Sequence, residues 1–151
     1  MNAKRATAAG VIATASMTSL LLVEPSVGLP RIAIGAMLSS IMTAVPSHSS
    51  VGAAWGWVID VALGVLFALI YAGYFVNRLT GSAVVRGLLF GCMVFVLSQL
   101  VFAPMTGTGV FSGGDIELLI GGLLGHLVFG GVLGYVYGEG KAPAAQPAFQ
   151  G

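Results

Sequence analysis

Four long, continuously apolar runs constrain this chain more than anything else in its sequence: residues 6–23, 52–76, 83–103 and 116–137. Each is long enough to cross about 30 Å of hydrocarbon as an α-helix rising ~1.5 Å per residue. Transmembrane β-strands would read as short alternating segments, and these runs do not alternate. The expected fold is an all-α integral membrane protein, a four-helix transmembrane bundle. Composition agrees, with 57% of residues hydrophobic and 7% charged, where a soluble domain carries roughly 25% charged residues. A net charge of +1 offers no basic patch for phosphates, so nucleic acid is not an expected partner. The single cysteine, Cys92, lies within an apolar run and cannot form an intrachain disulfide.

The first run follows Lys4 and Arg5, a pattern shared with secretory signal peptides. Val23-Glu24-Pro25 is a poor cleavage site, so the run is read as a membrane helix. Lysine and arginine then orient the bundle. With the N-terminus inside, inner segments hold Lys4, Arg5, Arg78, Arg86 and Lys141, and outer segments hold only Arg31. Glu24, Asp115 and Glu117 fall at outer helix ends. Trp55 and Trp57 begin the second helix at the outer interface, while Tyr71, Tyr74, Tyr135 and Tyr137 are expected in the inner headgroup layer. Both termini are thus expected in the cytoplasm, in a bacterial inner membrane. Residues 1–140 form one domain, and 141–151, with Pro143 and Pro147, read as a disordered tail.

Between the first two helices, residues 31–45 are bracketed by Pro30 and Pro46, with Ile34, Leu38, Ile41 and Val45 at helical spacing. Such a segment is short for a span. It is expected as an amphipathic outer helix, lying on the membrane or packed as a lid on the bundle.

An internal repeat emerges when the fourth run is laid on the second at an offset of 66 residues. Gly56, Asp60, Gly64, Ala68 and Ala72 then align with Gly122, His126, Gly130, Gly134 and Gly138, and Tyr71 with Tyr137. Small residues four apart let helix backbones approach closely in lipid. Gly56, Gly64, Ala68, Gly122, Gly130 and Gly134 are therefore the expected helix-packing positions. The first and third runs align less clearly, at an offset of 81 (Arg5 on Arg86, Gly10 on Gly91) or of 79 (Pro25 on Pro104). The chain reads as two helix hairpins in a parallel repeat, the first carrying the extra amphipathic helix. The pseudo-twofold axis would lie along the membrane normal.

Asp60 and His126 occupy equivalent positions in the repeat, and both are expected to face the bundle interior. Ionisable groups at such depth are costly and need a purpose. An aspartate there could accept the imidazole N–H as an interhelical bridge, or the pair could line a pathway for a proton or small solute. Gln99 and Ser98, near the outer end of the third helix, could join them. His126 is also a weak candidate for haem or metal ligation, which would need His48 or a second subunit to complete a bis-histidine site. No metal site and no cofactor are otherwise expected. The glycines of residues 107–114 lack the lysine and following helix of a phosphate loop, so nucleotide is not expected. No hydrolase-type constellation of serine, cysteine, histidine and carboxylate appears, and the chain is not expected to be an enzyme.

Lys4-Arg5 before a Gly/Ala-rich helix, Gly56-Trp57-x-x-Asp60 leading to Phe67-Ala68-Leu69-Ile70-Tyr71, and Gly125-His126-Leu127-Val128 with Gly130 and Gly134 together resemble a known pattern. It is that of small bacterial four-helix inner-membrane proteins known only as a domain of unknown function. The resemblance covers roughly residues 4–138 and implies fold and location, with no activity. Such sequences often carry histidine where Asp60 stands here, a departure that weakens any scheme of paired histidine ligands. The expected role is an accessory or structural subunit packing against other membrane proteins or itself within the lipid bilayer. Its alternatives are a small oligomeric channel or carrier using Asp60 and His126, and a haem- or pigment-binding subunit.

Overall fold

The computed structural model describes residues 1–40 and 50–138. Helix α1 spans Ala3–Val23 and is extended by a 3-10 turn, Glu24–Val27. A short α2 covers Ile34–Ser40, and α3 runs Ser50–Ile70 before a wide π turn at Tyr71–Phe75. Helix α4, Ala83–Leu97, continues through a second π turn, Ser98–Phe102, and a last turn, Ala103–Met105. Helix α5 spans Ile116–Tyr137. Helices α1, α3, α4 and α5, with their extensions, are all long and apolar enough to cross a membrane. The protein is a multi-pass, all-α membrane protein.

Caps and breakers place the helix ends. The side chains of Asn2, Ser82 and Asp115 accept the backbone N–H of Arg5, Val85 and Leu118 at the starts of α1, α4 and α5. Pro104 has no N–H for the turn before it, and its ring crowds the carbonyl four residues back. The helix widens there, with the Ala103 N–H bonding to the Ser98 carbonyl. The amphipathic segment is shorter at its start than expected: Pro30 to Ala33 are not helical, and the Ile34 N–H turns back to the Ile32 carbonyl. The rest of that segment and His48, like the tail, lie outside the described residues.

The helices run up and down in the spatial order α3, α1, α5, α4. Helix α3 closes the ring onto α4 substantially only through Tyr71–Phe75. Lipid supplies no hydrophobic drive between helices, so close packing must hold them. A methyl on Gly10 of α1 would stand 2.8 Å from Ala68 Cβ and 3.0 Å from Val65 Cα of α3. Gly64 meets Thr14 of α1, and Gly56 meets Gly35 of α2. Between α4 and α5, Gly87 and Gly91 interleave with Gly130 and Gly134. Gly122 differs from the other small residues of its series. It faces the side chains of Phe95 and Gln99 rather than a helix backbone.

The two hairpins match in detail at one end of the bundle, here called the basic end. Tyr71 donates to the Ala83 carbonyl at the start of the second hairpin, at 3.5 Å. Tyr137 accepts from the Asn2 N–H at the start of the first, at 3.4 Å. Arg86 reaches the Val76 carbonyl at 2.8 Å, and Arg5 the Val136 carbonyl at 3.2 Å. Each arginine therefore meets the negative end of the other hairpin's second helix. Tyr71 and Tyr137 are 66 residues apart, and Arg5 and Arg86 are 81 apart. Gly10 and Gly91, also 81 apart, both sit at the crossings, so 81 is the offset that superposes α1 on α4.

Tyr71 and Tyr137 are not headgroup anchors, because the pseudo-twofold brings them together in the interior. Their rings meet edge-on at 6.1 Å, Tyr71 stacks on Phe90 at 5.2 Å, and Phe75 on Phe90 at 5.1 Å. With Leu133, fully buried, this aromatic layer fills the basic half of the bundle. Tyr74 and Tyr135 remain exposed, as do Trp55 and Trp57 at the other end.

Candidate functional site

The half of the bundle beyond the aromatic layer is not filled. A cavity of about 400 Å³ lies there, partly open, with walls from α1, α2, α3, α4, α5 and the loop after α4. Its existence follows from the ring order: α3 and α4 separate beyond Tyr71–Phe75. Most of its wall is apolar, from residues such as Met17, Phe67, Val94, Phe102 and Phe129. Phe129 and Val94 also belong to the packed core, so the cavity ends against the aromatic layer.

Asp60, Gln99 and His126 all line this cavity, from α3, α4 and α5 respectively. They are not bonded to one another. Asp60 Oδ2 accepts from the Thr18 hydroxyl of α1 at 3.3 Å. Gln99 Oε1 accepts from the Ser112 hydroxyl at 2.9 Å. His126 Nδ1 lies 2.7 Å from the Gly122 carbonyl, one turn back on its own helix, and its ring meets Phe95 edge-on at 5.7 Å. A carbonyl only accepts, so Nδ1 carries the proton, and in the neutral ring Nε2 is left as an acceptor. The expected bridge from imidazole to Asp60 is therefore not formed, because each group has a nearer partner within its own hairpin. Ser98 turns its hydroxyl back to the Phe95 carbonyl at 2.7 Å.

Three atoms remain without a hydrogen-bond partner among the described residues and are not sealed in packing: Asp60 Oδ1, Gln99 Nε2 and His126 Nε2. The cavity wall thus offers a carboxylate acceptor, an imidazole acceptor and an amide donor. Among the described residues no three His, Cys, Asp or Glu side chains converge as a metal cage would need. His126 could supply at most one ligand to a metal or haem.

Two partners were missed in the sequence. Thr18 stands 81 residues before Gln99, so it is Gln99's counterpart in the repeat, and that register could have located it. Ser112 had no such signal. It sits in a left-handed turn with Phe111 at φ 47° and Ser112 at φ 51°. Non-glycine residues pay roughly 1–2 kcal/mol each for that conformation, and here it delivers a buried hydroxyl to Gln99.

A family model described as "Family of unknown function (DUF6789)" matches residues 1–147. The chain belongs to this family. Neither curated proteins nor solved structures gave a match.

One further polar group in this DUF6789 chain lies away from the cavity wall. Glu24, at the outer helix end, is 1% exposed, with the 3-10 turn containing Pro25 setting it against Gly121. Among the described residues neither of its carboxylate oxygens has a hydrogen-bond partner.

Proposed function

We propose that this protein is an intramembrane binding protein, holding a small, mostly apolar molecule in the cavity beside Asp60, Gln99 and His126. The observation that carries this reading is the cavity itself: about 400 Å³, walled by all four membrane helices and α2. That volume falls in the range of small-molecule sites, which combine apolar walls with a few polar groups. The three unengaged polar atoms supply those groups. Gly10, Gly64, Gly87, Gly91, Gly130 and Gly134 pack between helices of this chain and so lend no support to an accessory role. A channel through the bundle would have to pass the aromatic layer of Tyr71, Phe90 and Tyr137. A carrier that binds and releases its solute from one face remains compatible with a blind cavity.

The positive-inside bias supports reading the basic end, with Arg5, Arg78 and Arg86, as the cytoplasmic side of a bacterial inner membrane, which would turn the cavity toward the outer leaflet. Native mass spectrometry of protein extracted directly into nanodiscs tests the binding reading. A small-molecule adduct is expected, and it should vanish in Gly122→Leu, whose side chain fills the cavity while meeting only Phe95 and Gln99. Protein that carries no adduct from native membranes, and takes up none from a lipophilic extract of them, would overturn the reading.

A further inference from the structure

The polar groups of the cavity favour one chemical class of occupant. Asp60 has a single neutral partner, the Thr18 hydroxyl at 3.3 Å, and among the described residues no basic side chain pairs with it. A carboxylate within a membrane is stabilised when a cation lies alongside it, and among the described residues none is bonded to Asp60. The second acceptor, His126 Nε2, likewise needs a donor hydrogen, because Nδ1 is committed to the Gly122 carbonyl. Phe67, Phe102 and Phe129 contribute aromatic rings to the same wall, and ring faces attract cations. The basic residue of the wall, Arg31, is exposed to the surroundings, where its charge is screened. An anionic head beside Asp60 would face its carboxylate, with the Gln99 amide, wall hydroxyls such as Thr14 and the exposed Arg31 as the donors against it.

We propose that the cavity takes a lipophilic amine: a compact apolar body bearing a primary or secondary ammonium, with Asp60 as its counter-ion and His126 Nε2 as a second acceptor. The inference rests on the reading of the cavity as a binding site, and adds the charge of the head. Entry from the bilayer fits the geometry, since α3 packs on α4 substantially only through Tyr71–Phe75.

Three probes with one apolar body separate the two claims: 1-adamantylamine, 1-adamantanol and 1-adamantanecarboxylate. Binding is measured by calorimetry on the full chain in phosphatidylcholine nanodiscs, with empty nanodiscs subtracting partition into lipid. The amine is expected to bind at least about tenfold more tightly than the alcohol or the carboxylate, the scale of one charge-assisted hydrogen bond. Asp60→Asn should bring amine and alcohol within about threefold of each other, and Gly122→Leu should weaken all three. If the alcohol or the carboxylate binds as well as the amine, the ammonium assignment is overturned while the cavity stands as a site. If Asp60→Asn keeps the amine preference, Asp60 is not the counter-ion and the inference fails. If no probe binds above empty nanodiscs, the inference and the site reading fall together. Should Asp60→Asn not fold, the comparison of three heads on the unaltered chain still decides the question.

Discussion

A methyl group added at two glycines of the same helix should change stability in opposite directions. Gly130 and Gly122 lie two turns apart on α5 and belong to the same series of small residues. A Cβ at Gly130 would stand 2.8 Å from Gly91 Cα and 2.9 Å from Gly91 N, and closer still to the Gly87 carbonyl. Carbon atoms rest about 3.5–4.0 Å apart, so α4 and α5 would have to part by roughly 1 Å at their closest crossing. No side chain can rotate aside, because the obstacle is backbone. Overpacking typically costs about 1–3 kcal/mol, and the better helix propensity of alanine returns up to ~1 kcal/mol. Gly130→Ala should therefore lose about 2 kcal/mol. At Gly122 the nearest atoms are Phe95 Cε2 at 3.4 Å and Gln99 Nε2 at 3.5 Å, ordinary contact distances. Gly122→Ala should be neutral or gain up to ~1 kcal/mol. Reversible unfolding of both variants by SDS in bicelles measures the difference. If Gly130→Ala is as stable as the unaltered chain, or Gly122→Ala loses as much as Gly130→Ala, the assignment of the seam is refuted.

Other perturbations follow from the same geometry and use the same assay. Glu24→Met removes a buried carboxylate with no hydrogen-bond partner among the described residues and should stabilise the fold by about 1–3 kcal/mol, the scale of an unsatisfied buried polar group; a loss would mean that Glu24 holds a partner of its own. Arg86→Ala breaks a half-buried bond to the Val76 carbonyl at 2.8 Å and should cost about 1.5–3 kcal/mol. Arg5→Ala breaks the equivalent but exposed bond to Val136 and should cost under ~1 kcal/mol; equal losses would contradict the burial difference. Thr18→Val deletes the hydroxyl that reaches Asp60 and should cost about 1 kcal/mol. A loss of that size that persists in Asp60→Ala would show that the two side chains are not coupled.

The helices were legible because hydrocarbon leaves so few choices: runs 6–23, 52–76, 83–103 and 116–137 sit within one turn of the observed elements at nearly every end. The repeat was legible too, setting Asp60 and His126 at matched positions, and both line the cavity. What it could not provide was pairing. Whether His126 turns to Asp60 or to its own Gly122 carbonyl depends on a rotamer and on distances across the bundle, neither of which is written in spacing. Tyrosines near helix ends are ordinarily interfacial, and only the pseudo-twofold, which brings Tyr71 and Tyr137 edge to edge, explains why these two are buried. Glu24 does fall at a helix end, and its burial was not legible because it depends on the 3-10 turn that follows α1.

The distribution of matches and mismatches between the hairpins separates scaffold from site. At the basic end the equivalent residues do equivalent work: Tyr71 and Tyr137 each contact the start of the other hairpin, Arg5 and Arg86 each contact helix-end carbonyls, and Gly10 and Gly91 both sit at crossings. Beyond the aromatic layer the equivalence lapses pair by pair. Asp60 stands where the second hairpin has His126, and Thr18 where it has Gln99. Gly56 is covered by Gly35 of α2, whereas its counterpart Gly122 has no such helix over it and faces Phe95 and Gln99. The contact between α1 and α5 has as its symmetric mate a contact between α4 and α3, and that mate is the one left open. A perfect twofold would place two identical polar groups across the axis and close both contacts alike. Two acceptors of different charge at matched positions, beside the loosely packed α3–α4 seam, give instead a cavity with a direction: a carboxylate on one wall and a floor built from the half of the bundle that kept its symmetry.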